Sequence, residues 1–181
     1  MVHWNIAAVV GVPGVGKTSL CKRASMELGC TYVNYGKLML EVARQERLAF
    51  TDSEMFSLDI DVQHHIWRAA AEKIKGMNNV IVDLHGVDQS SLGYLLSLPI
   101  ETIFPEIIVI IESSYSNIMK RRLGDSSKTR KIENFKSLKS HMKFLRGSMA
   151  ACSVILGCTF KVLQNNNFDD CLRELVDILG E

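Results

Sequence analysis

Short apolar runs alternate along the chain with segments whose apolar residues recur at three- and four-residue steps. Ile6–Val10, Val80–Asp83 and Ile107–Glu112 are dominated by apolar, largely β-branched residues with no polar alternation, the pattern of strands covered on both faces. The second and third close on a carboxylate. Thr31–Asn34 and Thr159–Gln164 predict two more strands. Helical spacing runs from Thr18 to Leu28 and stops at Gly29, and it returns at Leu38–Glu46, Tyr115–Arg122, about Asn134–Ile155 and Asp169–Leu179. Thr51 and Glu54 form a capping box that opens a long predicted helix to about Lys75, ended by Gly76. A polar stretch, Gly124–Lys131, separates two of these helices. Strand followed by helix, repeated, implies an α/β fold with a mostly parallel sheet between helices.

Composition narrows the function. The 181 residues fit a single domain, 1–181, and neither a low-complexity linker nor an internal repeat divides them. A formal net charge of +1 gives no basic field for nucleic acid or an anionic membrane surface. The longest uninterrupted apolar run, Ile107–Ile111, is far too short to span a bilayer. Strand-like Ile6–Val10 leads straight into a glycine motif, unlike a secretory leader. Cys21, Cys30, Cys152, Cys158 and Cys171 are an odd set without C-x-x-C spacing. They read as reduced small hydrophobes in a cytoplasmic protein, not as a disulfide framework or metal site.

The strongest signal is Gly11-Val12-Pro13-Gly14-Val15-Gly16-Lys17-Thr18, which satisfies G-x-x-x-x-G-K-[ST] between a predicted strand and a predicted helix. Glycines let consecutive amides approach phosphate oxygens, and the helix start adds its positive dipole end. Lys17 can reach the β- and γ-phosphates of ATP, and the Thr18 hydroxyl can ligate Mg²⁺. Ser19 offers a hydroxyl one place past the required spacing. Such a site needs a second carboxylate on a neighbouring strand. Asp83 is the favoured holder of Mg²⁺, partly through water, and Glu112 is its rival. His85, two residues beyond Asp83, is expected to line the same cleft. His64 and His65 are adjacent, so on a helix they point in different directions and cannot make an i, i+4 metal pair.

A late N-K-x-D element, which would read guanine, is absent, and motors of the AAA or helicase type need more sequence than this. A short chain with an early phosphate loop and a late basic segment fits a small-molecule kinase. Lys120-Arg121-Arg122 and the following stretch to Lys131 supply cations that could close over a transferring phosphoryl group as a short lid, over about residues 121–132.

The phosphate loop, then Asn34-Tyr-Gly-Lys-Leu-Met39, Asp83-Leu-His85, Gly93-Tyr-Leu-Leu-Ser-Leu-Pro99 and the tail Ala150–Asn165 resemble the archaeal-type adenylate kinase family in order and spacing. The resemblance implies a three-layer P-loop NTPase-type fold with about five parallel strands, often assembled as a homotrimer. It also implies Mg²⁺-dependent, reversible conversion of ATP and AMP into two ADP. Carried over position by position, it places ATP phosphates at Gly14, Gly16, Lys17 and Thr18. It begins a monophosphate-binding region, about residues 34–76, at Asn34, Tyr35 and Gly36. Asp83 and His85 fall between the two nucleotide sites, and Arg121 and Arg130 become the lid cations.

Three departures remove positive charge from surfaces expected to face phosphates. Phe56 stands where the family carries an arginine, and Gln89 where it carries a basic residue. Gly124 and Ile132 replace common lid cations, with an insert around Ser126–Lys128. Arg44, Arg47, Arg68 and Arg122 are the nearby candidates to compensate. Two other readings therefore stay open: a kinase for another monophosphate or a small metabolite, and a nucleotide-dependent binding protein whose catalysis has weakened.

Overall fold

The computed structural model describes residues 2–90, 93–124 and 134–180. Strand β1 (Ile6–Val10) is buried along its whole length and leads through the glycine loop into α1 (Lys17–Leu28). Strand β2 (Thr31–Asn34) runs directly into α2 (Tyr35–Gln45), followed by the single turn α3 (Asp52–Met55) and by α4 (Ile60–Ile74). Strand β3 (Val80–Asp83) is followed by β4 (Gly86–Ser90) and β5 (Gly93–Ser97). The chain ends with β6 (Ile107–Glu112), α5 (Tyr115–Gly124), α6 (Phe135–Leu156), β7 (Thr159–Gln164) and α7 (Phe168–Gly180).

Five strands form one parallel sheet in the order β2-β3-β1-β6-β7. The three central strands are the three uninterrupted apolar runs, as expected for strands covered on both faces. Their side chains make the middle of the core, with Ala7, Ala8, Val9, Ile81, Val82, Ile108 and Ile110 fully buried. Helices α1 and α7 pack on one another, and α6 lies against β6 and β7. Trp4 Nε1 donates to the Leu179 carbonyl at 2.7 Å, tying the start of the chain to its last helix. Because β1 sits between β3 and β6, the chain reverses its direction of winding there. Ligands in open α/β sheets bind at such a switch point, outside the carboxyl ends of the strands.

Two predicted features are corrected. The long helix over 51–75 is two helices. Thr51 and Glu54 do form the reciprocal capping box, but Phe56 ends α3 and Asp59 is extended at φ −56°, ψ 146°. Gln63 Nε2 donates to the carbonyls of Phe56 at 3.3 Å and Leu58 at 2.7 Å, supplying partners that a continuous helix would otherwise provide. The second correction is the antiparallel hairpin β4–β5, which stands apart from the main sheet and pairs Val87 with Leu96 and Gln89 with Tyr94. Helix α6 holds it: His141 Nε2 donates to the Val87 carbonyl at 3.0 Å, and Tyr94 stacks on Phe144 with centroids 4.6 Å apart.

Candidate functional site

The glycine loop is held by side chains from distant parts of the chain. Arg122 Nε donates to the Pro13 carbonyl at 2.9 Å. The Val15 carbonyl accepts from Arg121 Nη1 at 3.0 Å and from Asn165 Nδ2 at 2.7 Å, and Arg121 Nη2 also reaches the Asn165 carbonyl at 3.0 Å. Lys17 Nζ folds back onto the carbonyls of Gly11 and Val12. The fit leaves no room for larger residues. A Cβ on Gly11 would lie 2.5 Å from the Ile111 carbonyl oxygen, and one on Gly16 the same distance from Asn165 Nδ2. Gly16 is also the N-cap of α1, left-handed at φ 95°, and no side chain caps this helix. Its first N–H groups therefore remain available to an anion, with the positive helix end behind them.

Parallel pairing of β1 and β2 with β3 sets Val9 and Asn34 beside Asp83, at the mouth of the loop. Asp83 is buried, and its Oδ2 accepts from Thr18 Oγ1 at 2.7 Å, Asn34 Nδ2 at 3.0 Å and the Tyr32 hydroxyl at 3.1 Å. Burial, and then the Asp83 charge, push the Tyr32 phenol well above its ordinary value, so it stays a neutral donor. Thr18 and Ser19 are both exposed, but it is Thr18 that meets the carboxylate. A hydroxyl beside a carboxylate is an all-oxygen donor set, which suits a hard divalent cation such as Mg²⁺. The rival carboxylate is otherwise engaged. Glu112 takes two bonds from Arg146, at 2.7 and 2.6 Å, and one from Gln164 at 2.9 Å. That bidentate pairing raises the Arg146 guanidinium above its ordinary value, mainly through the hydrogen bond.

Residues expected on the acceptor side divide into several environments. Asn34 uses both ends of its amide, since its Oδ1 accepts from Lys37 N at 3.0 Å and caps α2. Tyr35 turns inward and donates to the Trp67 carbonyl at 2.6 Å, joining α2 to α4. Gly36 is exposed at the helix start. The His85 carbonyl receives Gly11 N at 3.2 Å, and its Nδ1 lies 2.7 Å from Asp88 Oδ1. Burial works to raise the Asp88 carboxyl, but the bond and charge of His85 outweigh it and hold the carboxyl below its ordinary value. Phe56 is 57% exposed, and Gln89 is exposed on β4. Arg44 directs Nε and Nη2 onto the Phe50 carbonyl at 2.9 and 2.8 Å, while Arg47 and Arg68 are exposed. His65 pairs with Glu46 at 2.7 Å, and no cluster of three or more metal-binding side chains occurs among the described residues. Arg121 through Gly124 belong to α5, whereas Arg130 and the rest of the expected lid lie outside the described residues.

Three functional contacts escaped sequence reasoning: Tyr32 and Asn165, and Arg122 as a clamp on the loop. Arg122 stands in the basic segment and Asn165 at the end of the family-like tail, but neither pattern points to the loop, and Tyr32 leaves no trace.

A family model described as an AAA domain matches residues 10–139, from the end of β1 into α6. The chain is 46% identical to an adenylate kinase homolog from Methanothermobacter thermautotrophicus, covering 95% of this chain and 90% of that protein. It is 38% identical to an adenylate kinase from Methanoculleus marisnigri, covering 94% and 96%. The chain belongs to the archaeal adenylate kinase family. In this chain the phosphate loop follows β1, Asp83 closes β3, and the hairpin β4–β5 carries the Gly93–Pro99 motif up to Ser97. The fold itself recurs further afield. Shikimate kinase from Bacteroides thetaiotaomicron superposes with a TM-score of 0.61 at 13% identity, covering 98% of this chain and 99% of that one.

Proposed function

We propose that this protein is a Mg²⁺-dependent adenylate kinase that transfers the γ-phosphoryl group of ATP to AMP, reversibly, giving two ADP. The observation that carries this reading is the Thr18–Asp83 contact of 2.7 Å at the mouth of a clamped phosphate loop, in a chain of this family. The loop amides and the start of α1 would bind the ATP phosphates, and Lys17 would swing from its loop carbonyls to the group being transferred. Thr18 and Asp83 would hold Mg²⁺, the carboxylate partly through water. When bound, the metal neutralises charge on the β- and γ-phosphate oxygens. Arg121 and Arg122, already on the loop, bring two guanidiniums to the donor side, and Arg130 is assigned to the closing lid. The region 34–76, with Asn34, Tyr35 and Gly36 at its start and His85 opposite, is assigned to AMP.

Five unpaired cysteines support a cytoplasmic setting, and no helix among the described residues is long and apolar enough to cross a membrane. Assembly as a homotrimer is carried by family resemblance alone.

One group of observations favours a second reading, a nucleotide-dependent binding protein with weakened catalysis. Phe56 and Gln89 put no charge on the acceptor side, and two of the Arg44 donors are bound to the Phe50 carbonyl. A coupled ADP-formation assay with ATP and each of AMP, GMP, CMP and UMP separates the readings. AMP is expected to be the fastest acceptor. A faster alternative monophosphate would reassign the substrate, and no turnover with any of them, despite ATP binding, would favour the binding protein.

A further inference from the structure

The three hydrogen bonds to Asp83 all converge on one oxygen. Thr18, Asn34 and Tyr32 all donate to Oδ2, and no donor among the described residues reaches Oδ1. Terminal torsions of carboxylates are broad, so a lone Asp side chain would present either oxygen over a wide arc. Three donors on one oxygen remove that freedom and leave Oδ1 as the acceptor for the hydration shell of a bound metal.

The three donors differ in what else they do. Thr18 belongs to the phosphate loop itself. Asn34 also caps α2 through its Oδ1. Tyr32 packs its ring against the core, which leaves the hydroxyl for the carboxylate and Asn34. It stands half-buried on the edge strand β2, and its hydroxyl hydrogen-bonds with Asp83 and, at 3.4 Å, with Asn34. The phenol makes no hydrogen bond to the glycine loop, yet it reaches the carboxylate beside Thr18.

We propose that Tyr32 is a positioning residue for the metal–nucleotide half of the site, setting the rotation of Asp83 so that Oδ1 is offered to Mg²⁺-bound water. This rests on the reading of the loop as a Mg²⁺–ATP site and not on the identity of the acceptor. Tyr32 acts through Asp83 and does not itself touch substrate.

The test is ATP binding by the full chain, measured by calorimetry over a Mg²⁺ titration and again in excess chelator, for wild type and Tyr32→Phe. The substitution keeps the ring and removes only the hydroxyl. Outer-shell partners of a metal site commonly change metal affinity by 10-fold or more, so the Mg²⁺ concentration giving half of the tightening of ATP binding should rise about tenfold. ATP affinity in chelator should stay within about twofold of wild type, because the loop contacts are intact. Turnover should recover at saturating Mg²⁺. All binding is read at a temperature where circular dichroism shows both proteins fully folded, so a stability loss cannot imitate the effect. An unchanged Mg²⁺ midpoint, or an equal loss with and without metal, overturns the proposal while leaving the kinase reading in place. A wild type that binds no ATP at all would overturn both.

Discussion

The halves we assign to ATP, the donor, and to AMP, the acceptor, are built to different standards. On the donor side, side chains from α5, from α1 and from the end of β7 fasten the glycine loop, and a triply bonded carboxylate stands at its mouth. On the acceptor side, α3 is a single turn and an exposed phenylalanine caps it. The Arg44 guanidinium there bonds to a backbone carbonyl. A rigid donor half reduces what must be ordered when ATP arrives, whereas the acceptor half leaves much of that ordering to the moment of binding. The kinetic constants of the two substrates should therefore respond to different substitutions.

The largest expected effect is on the donor half. Lys17→Ala should lower turnover by well over tenfold, a loss above about 1.4 kcal/mol, while far-UV circular dichroism stays that of the wild type. Retention of more than about a tenth of the rate would show that the loop works without its cation. Next comes Asp83→Asn, which keeps the shape but weakens the acceptor for metal-bound water. The Mg²⁺ concentration for half-maximal activity should rise by about an order of magnitude or more. An unchanged Mg²⁺ titration would remove the carboxylate from the metal site and erase much of the contrast between the halves.

The acceptor half should yield a smaller and opposite change. The KM for AMP should exceed that for ATP, and Phe56→Arg should lower the AMP value by about three- to tenfold, the worth of a partly solvated charge-assisted contact. ATP kinetics should stay nearly constant. An effect confined to ATP would reverse the assignment of the two sites. The smallest effect concerns the hairpin β4–β5. The Asp88 carboxyl, half-exposed and depressed by His85, stabilises the fold above its unfolded pKa near 3.9, and that contribution fades as pH falls through the lower folded value. Asp88→Asn should therefore cost less than about 1 kcal/mol at neutral pH, and thermal melts of the two proteins should converge in strong acid. A gap that persists there would mean that packing, not charge, holds Asp88.

Much of this was legible in the sequence, for identifiable reasons. The three central strands stand where the apolar runs place them, because strands buried on both faces need no partner to declare themselves, and the edge strands β2 and β7 also stand where expected. The hairpin β4–β5 was not legible. Asp88 and Gln89 interrupt its apolar pattern, and its stability comes from His141 and Phe144, some fifty residues away. The break between α3 and α4 was hidden for a local reason, since the Gln63 side chain bonds back to Phe56 and Leu58 and no glycine or proline marks the break. Within the site, the glycine motif announces itself locally. Tyr32 does not, because its importance comes from the register of β2 on β3, which no short pattern encodes.

The Asn165–Val15 bond also has a consequence for the order in which the protein is made. Synthesis proceeds from the N-terminus at roughly 5–20 residues per second, so the glycine loop leaves the ribosome well before Asn165. Its clamp arrives 150 residues later, and the Trp4 contact with Leu179 spans 175. A nascent chain thus carries the whole nucleotide-binding motif through the synthesis of the next 150 residues without the asparagine that secures it. Stalled chains ending before β7 should hold ATP weakly, and the gain in affinity should come only when β7 and Asn165 have been released.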